Sequence, residues 1–183
     1  ADGNAIVVYD PAAYESDGGA TREIARFEFP RQAGRERLCL ADYVRPVGSD
    51  AVDVIALQVV TVGDAASERF ATLQAAGEYS EAFLVHGLAV EAAEATAQWM
   101  HARIRRELAL SDERGKRYSW GYGACPDLDD HAPLFRLLPA EQTLGMTLTE
   151  AFQLIPEQST AAIVLHHPEC KYYAVRTAGE GVQ

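Results

Sequence analysis

An α+β fold with a mainly antiparallel sheet is what this chain predicts. Strand signals of short length fall at 5–9, 23–29 and 54–62 and return after residue 140. Two helical signals, at 65–76 and 79–109, lie between them. Strands and helices do not alternate in the regular rhythm of βαβ units, which disfavours a parallel doubly wound sheet.

Each element has a local reason. Ala5-Ile6-Val7-Val8-Tyr9 reads as a strand, and Asp10-Pro11 ends it. Over 23–29, Ala25, Phe27 and Phe29 alternate with Arg26 and Glu28, the pattern of a half-buried strand. Arg31 to Arg37 is a polar loop. Residues 54–62 are almost continuously apolar and predict a buried strand. Asp64 is suited to cap a helix over 65–76, and Gly77 falls where a C-terminal cap belongs.

The long helix over 79–109 carries Leu84, Leu88, Ala92, Ala95 and Trp99 at spacings of 4, 4, 3 and 4, a stripe expected to face a core. Glu94, Gln98, His101 and Arg105 form a second, polar stripe, expected to be solvated or to face in part a ligand or partner domain. A charged linker at 111–116 follows. A helix is expected within 127–138, where Asp127, Asp129 and Asp130 suit a helix N-terminus and Pro133 is tolerated in a first turn. Strands are expected near 142–149, 160–166 and 172–176, the last two flanking a hairpin turn at His167-Pro168-Glu169-Cys170.

Composition bounds the function. The 183 residues fit one domain, 1–183, and 48% hydrophobic content is enough for a real core. A net charge of −11 argues against a nucleic-acid partner. No apolar run approaches the roughly 20 residues of a membrane span. No signal-peptide pattern opens the chain, and without an initial methionine it reads as a processed or excised piece of a longer one. Cys39, Cys125 and Cys170 are odd in number and widely spaced, which fits a reduced, cytoplasmic setting. The histidines lack metal-ligand spacing, so no metal site is expected; His86 and His131 read as surface or satisfied core residues.

The segment Arg117-Tyr118-Ser119-Trp120-Gly121-Tyr122-Gly123-Ala124-Cys125-Pro126 is the most informative in the chain. Arginine offers a planar fork for a carboxylate. Glycines allow close backbone approach, and the aromatics give flat faces with polar tips. Such a loop suits a small, charged, partly aromatic ligand, and it also suits a tight turn with aromatic packing. No catalytic residues are assigned. Ser119 has no base at a recognisable offset, Cys125 is either a nucleophile or a small packing residue, and neither a nucleophile elbow nor a phosphate loop is present. The residues therefore favour a binding domain over a self-sufficient enzyme.

This segment resembles the Arg-x-x-x-Gly-Tyr-x-Ala-Cys-Pro loop of the activation domain of cobalamin-dependent methionine synthase. Three further blocks follow the same family in order: Leu38-Cys39-Leu40-Ala41-Asp42-Tyr43-Val44, Leu144-Gly145-Met146-Thr147-Leu148-Thr149-Glu150, and His167-Pro168-Glu169-Cys170-Lys171-Tyr172-Tyr173-Ala174-Val175. The resemblance covers nearly the whole chain. It implies one C-shaped domain on a long, bent antiparallel sheet with flanking helices. It also implies a module that binds S-adenosylmethionine and presents it to cob(II)alamin, held by a cobalamin-binding domain, for reductive remethylation to methylcobalamin with an electron from a flavodoxin-type partner. The chemistry then belongs to the cofactor, and the domain supplies positioning.

Carried over residue by residue, the resemblance implies a ligand site at Arg117, Ser119, Gly121, Tyr122, Gly123, Ala124, Cys125 and Tyr172, with Arg117 on the carboxylate. Glu94 falls on a glutamate implicated in the working of the family's domain, and Tyr173 is its candidate corrin-facing residue. Strand packing is the alternative for both tyrosines. The chain departs from the pattern at Gly123, where the family usually has proline, a change expected to loosen the loop. An upstream acidic residue that meets the ligand's amine in the family lies outside the chain, and no cobalamin-binding Asp-x-His-x-x-Gly motif occurs. Alternative readings are a stand-alone reactivation partner of another corrinoid protein and a ligand-free docking module. Arg103, Arg105 and Arg106 form a basic cluster where an acidic flavodoxin could dock, or else a solvated helix end.

Overall fold

The structure, a computed structural model, describes residues 1–16, 21–111 and 113–175. It mixes helices with antiparallel strands, as the sequence predicts. Among the described residues the pairing is distributed over three sheets. β1 (Ala5–Tyr9) pairs with β2 (Glu23–Glu28), with the short helix α1 (Pro11–Ser16) between them. The central sheet has the order β3 (Ala56–Thr61), β7 (Ser159–Leu165), β4 (Lys116–Ser119). The third is a small pair of β5 (Thr147–Leu148) and β6 (Leu154–Ile155).

The register of the central sheet decides what each strand residue meets. Arg117 lies opposite Val164, which lies opposite Ala56; Ser119 lies opposite Ala162, which lies opposite Gln58. Successive strand residues point to opposite faces. One face carries Leu57, Val59, Ala161, Ile163, Leu165 and Tyr118, and it builds the main core with Phe27, Phe29, Leu40, Tyr43, Trp120 and Leu134. The other face carries Gln58 and Arg117 and is covered by the helix α3 (Tyr79–Glu107), against which the helix α2 (Asp64–Ala75) packs.

The face α3 turns inward differs from the sequence expectation. Ala82, Ala89, Ala93 and Ala97 are buried, whereas Leu84, Leu88 and Trp99 of the expected core stripe are 74%, 73% and 55% exposed. Small side chains let the helix lie close on the sheet, close enough for Gln58 Nε2 to donate to the Ala97 carbonyl at 3.4 Å. The polar stripe is corrected as well. His101 and Arg105 are buried, and Arg105 donates through Nε to the Arg114 carbonyl at 2.8 Å and through Nη2 to the Gly115 carbonyl at 3.0 Å. Arg105 is thus a pin on the loop entering β4 and is withdrawn from the basic cluster. Arg103 pairs with Glu107 at 2.7 Å.

Later boundaries also shift. The helix expected within 127–138 is α4 (His131–Leu137), entered through Asp130. The strand expected near 142–149 gives way to helix α5 (Ala140–Leu144), closed by Gly145 in the left-handed region, with only Thr147–Leu148 extended into β5. No strand forms over 171–175, and Arg176 lies outside the described residues. That segment is tied to the motif loop instead: Tyr118 Oη donates to the Lys171 carbonyl at 3.0 Å, and the Val175 N–H donates to the Gly123 carbonyl at 3.1 Å.

Candidate functional site

The motif loop leaves β4 and turns back on itself. The Gly121 N–H donates to the Cys125 carbonyl at 2.8 Å, and the Cys125 N–H donates to the Tyr122 carbonyl at 2.9 Å. Glycine is required where the returning chain passes. Gly123 has φ +46°, and a β-carbon there would lie 2.8 Å from the Tyr173 carbonyl oxygen. Proline, fixed near φ −65°, cannot adopt that conformation. The loop at Gly123 is therefore pinned against 173–175, where the sequence alone suggested loosening.

The loop, the 172–173 segment and α3 enclose a pocket of ≈ 330 Å³ lined by Glu94, Arg117, Tyr118, Ser119, Tyr122, Gly123, Ala124, Tyr172 and Tyr173. Of the residues singled out from sequence, two stand apart. Gly121 lines a neighbouring, larger cavity, and Cys125 packs in the core with its thiol donating to the Ser119 carbonyl at 3.3 Å. Burial pushes the Cys125 thiol up to about 12, with the nearby Asp130 charge adding to the effect. Its burial in the core and its raised thiol favour the packing alternative over the nucleophile.

Arg117 is the chemical centre of the pocket. Its Nη2 donates to Glu94 Oε2 at 2.6 Å, while its Nη1 is buried with no hydrogen-bond partner among the described residues. The arginine side chain is only 13% exposed and that of Glu94 is 50% exposed. A buried guanidinium with a free arm is costly unless a partner arrives, and a carboxylate is the partner whose geometry it matches. Beside it, Glu94 offers a carboxylate oxygen for a cationic group. Tyr172 is exposed and meets Tyr118 edge-on, with centroids 5.7 Å apart; Tyr173 is half-buried, and its hydroxyl has no partner among the described residues. Burial, first, raises the Tyr173 hydroxyl above its ordinary value, so it is a neutral donor.

The larger cavity, ≈ 770 Å³, adjoins the first through Glu94 and Tyr122. Sequence reasoning missed it, along with Trp120, His131 and the 153–161 segment that line it. Trp120 Nε1 donates to Asp130 Oδ2 at 3.1 Å, and burial holds the Asp130 carboxyl up at about 6. His131 packs edge-on to Trp120, accepts burial as a neutral ring and bonds through Nδ1 to the Phe152 carbonyl at 2.7 Å. His86 bonds to Gln158 at 3.0 Å. Alternation along 117–120 was the available signal: it puts Tyr118 and Trp120 in the main core and Arg117 and Ser119 on the other side of the strand. No group of acidic, histidine or cysteine residues among the described residues could hold a metal ion. None of the described helices is long and apolar enough to cross a membrane.

The profile of the family described as vitamin B12 dependent methionine synthase, activation domain, matches residues 1–181. The chain belongs to that family. The activation domain here is 42% identical to methionine synthase of Mycobacterium tuberculosis (strain ATCC 25618 / H37Rv) over 173 residues, covering 82% of this chain and 14% of that protein. It is 39% identical to methionine synthase of Mycobacterium leprae (strain TN) over 173 residues, with the same two coverages of 82% and 14%. Among solved structures, it matches the crystal structure of the MetH reactivation domain bound to AdoHcy with TM-score 0.84 and 30% identity, over 96% of this chain and 57% of that one. The activation domain thus spans about one seventh of the length of these methionine synthases.

Proposed function

We propose that this activation domain binds S-adenosylmethionine in the ≈ 330 Å³ pocket, with the ligand carboxylate on Arg117. The observation that carries the reading is that Arg117, which lines that pocket, keeps a buried Nη1 with no hydrogen-bond partner among the described residues. The volume lies in the range of about 300–1,000 Å³ usual for small-molecule sites. In this reading Glu94 meets the ligand's amine and the backbone of 122–124 meets adenine or ribose; their shared place in the pocket lining supports it. Exposed Tyr172 at the pocket offers an aromatic face to the ligand's sulfonium. The solved relative in complex with AdoHcy, which differs from S-adenosylmethionine by the transferred methyl, supports this assignment.

The wider role follows from the family. The cobalamin-binding domain of methionine synthase would hold the cobalamin, which would supply the methyl-accepting chemistry, with a flavodoxin-type protein as the electron donor. This domain's own residues hold the donor, orient its methyl toward the corrin and keep its amino-acid end buried. Free, buried thiols at Cys39, Cys125 and Cys170 support a reducing, cytoplasmic setting, and the net charge of −11 supports a role without nucleic acid. One sequence-derived docking idea weakens: with Arg105 buried and Arg103 paired, only Arg106 of the basic cluster is left for an acidic electron donor.

Reactivation of the full-length enzyme tests the reading. Arg117→Ala is expected to abolish recovery of oxidised enzyme by S-adenosylmethionine and reductant, and to leave turnover of enzyme that has not been oxidised unchanged. Recovery at the parent rate would overturn it.

A further inference from the structure

Helix α3 meets β4 and the turn before it at two points. Glu94 takes Arg117 Nη2 at 2.6 Å, and further along the helix Arg105 holds the carbonyls of Arg114 and Gly115. His101 sits between these contacts. Ala93, Ala97, His101 and Arg105 recur one helical turn apart and are all buried, so His101 faces the sheet with them. It is 3% exposed, and its Nε2 is buried with no hydrogen-bond partner among the described residues. Arg117 Nη1, across the same interface, shares that condition. Buried polar atoms without partners are costly and rare, so two in one interface call for a use.

The two atoms are chemically complementary. A guanidinium nitrogen such as Nη1 carries two N–H bonds and can only donate, whereas a neutral imidazole nitrogen can accept. His101 is neutral at ordinary pH. Burial, first, and then the charges of Arg105, Arg117 and Lys116 hold its imidazole down at about 4. The ring does not line the ≈ 330 Å³ pocket, so it acts on a ligand only through Arg117. Glu94, whose side chain is 50% exposed, is a loose anchor for the guanidinium by itself. A second anchor on the buried side fixes the plane of the fork, on which recognition of a carboxylate depends. We propose that His101 is a positioning residue for the ligand carboxylate: in the bound state Arg117 Nη1 donates one N–H to that carboxylate and the other to His101 Nε2. Hydrogen bonds at such sites are often long before a ligand arrives and tighten in the complex. The inference rests on the reading of Arg117 as the seat of the carboxylate.

Calorimetric titration with S-adenosylmethionine of the parent chain, His101→Leu, His101→Gln and Arg117→Ala tests it. Leucine fills the space without a polar atom, and glutamine keeps an acceptor near the place of Nε2. His101→Leu is expected to weaken binding by about tenfold, the scale of one hydrogen bond to a charged group, and His101→Gln to recover most of that loss. Parent-like affinity of His101→Leu would overturn the proposal, and so would equal losses in the two variants, the mark of a merely structural role. Arg117→Ala separates the two readings. Weak binding by Arg117→Ala beside parent-like His101→Leu overturns this proposal alone, whereas parent-like binding by Arg117→Ala overturns the carboxylate reading with it. Nitrogen NMR of the unmutated chain gives a reading that no substitution can disturb. The His101 Nε2 resonance is expected to be that of an unprotonated acceptor and to shift with S-adenosylmethionine but not with methylthioadenosine, which lacks the amino-acid end. No shift with either, or the same shift with both, would contradict the proposal.

Discussion

Arg117 spends one arm of its guanidinium on Glu94, at 2.6 Å, and keeps the other buried and unpaired. The pair joins two elements distant in sequence: the edge strand of the central sheet and the middle of the long helix. If it is the seat of the ligand's amino-acid end, the two residues act together. Glu94→Gln and Arg117→Lys are each expected to weaken S-adenosylmethionine binding, and the double variant to lose less than the sum, with a coupling of about 0.5–3 kcal/mol in a double-mutant cycle. Additive losses would mean that the two residues serve the ligand separately.

The two constrained glycines give a stability prediction. A β-carbon at Gly115 would lie 2.4 Å from the Leu165 carbonyl oxygen, and one at Gly123 lies 2.8 Å from that of Tyr173. Both obstacles are backbone, and both glycines have positive φ. Gly115→Ala and Gly123→Ala are each expected to destabilise by at least about 1 kcal/mol, measured by urea denaturation. Gly115→Ala should cost more, since it disturbs the junction of β4 with the end of β7. Only Gly123→Ala should also impair ligand binding while the protein is folded.

The cysteines should be silent in the native state. All three are buried, and burial is the largest cause raising each thiol above its ordinary value. A thiol reagent at pH 8 is expected to label none of them rapidly in the native chain and all three in guanidinium. Fast labelling of Cys125 would revive it as a reactive group.

Asp130 should impose a pH dependence. Its folded value of about 6 lies above the ordinary 3.8, with burial as the largest cause. A carboxyl raised in the folded state favours folding most when protonated. Its contribution is fully present below about 3.8 and is lost as pH rises through about 6. Asp130→Asn is therefore expected to be more stable than the parent at pH 7, with the difference shrinking toward pH 4. Fluorescence of Trp120, which donates to this carboxyl, should titrate near pH 6. A difference independent of pH would refute the assignment.

Much of this was legible in the chain because it is local. The alternation at 23–29, the continuous apolar run at 54–62 and the glycine-rich loop after Arg117 each declare themselves within ten residues. What escaped is what depends on a distant partner. Large apolar residues on α3 looked like the inward face, yet the close approach of helix to sheet selects alanine, and leucine and tryptophan are left outside. Arg105 looked solvated because its partners are the carbonyl oxygens of 114 and 115, which no pattern of side chains reveals. Tyr172 and Tyr173 read as a strand, but residues 171–175 spend their hydrogen bonds on Tyr118, Gly123 and Gln32. Glu94 was singled out by resemblance alone; its reach to Arg117 needed the fold.

Calorimetric titration with S-adenosylmethionine, for the parent and Arg117→Ala, addresses the central claim most directly. Methylthioadenosine, which lacks the amino-acid end, serves as the control ligand. The account predicts that Arg117→Ala weakens S-adenosylmethionine binding by at least about tenfold, the scale of one lost charged hydrogen bond, and leaves methylthioadenosine unaffected. Equal affinities of parent and variant for S-adenosylmethionine would contradict it.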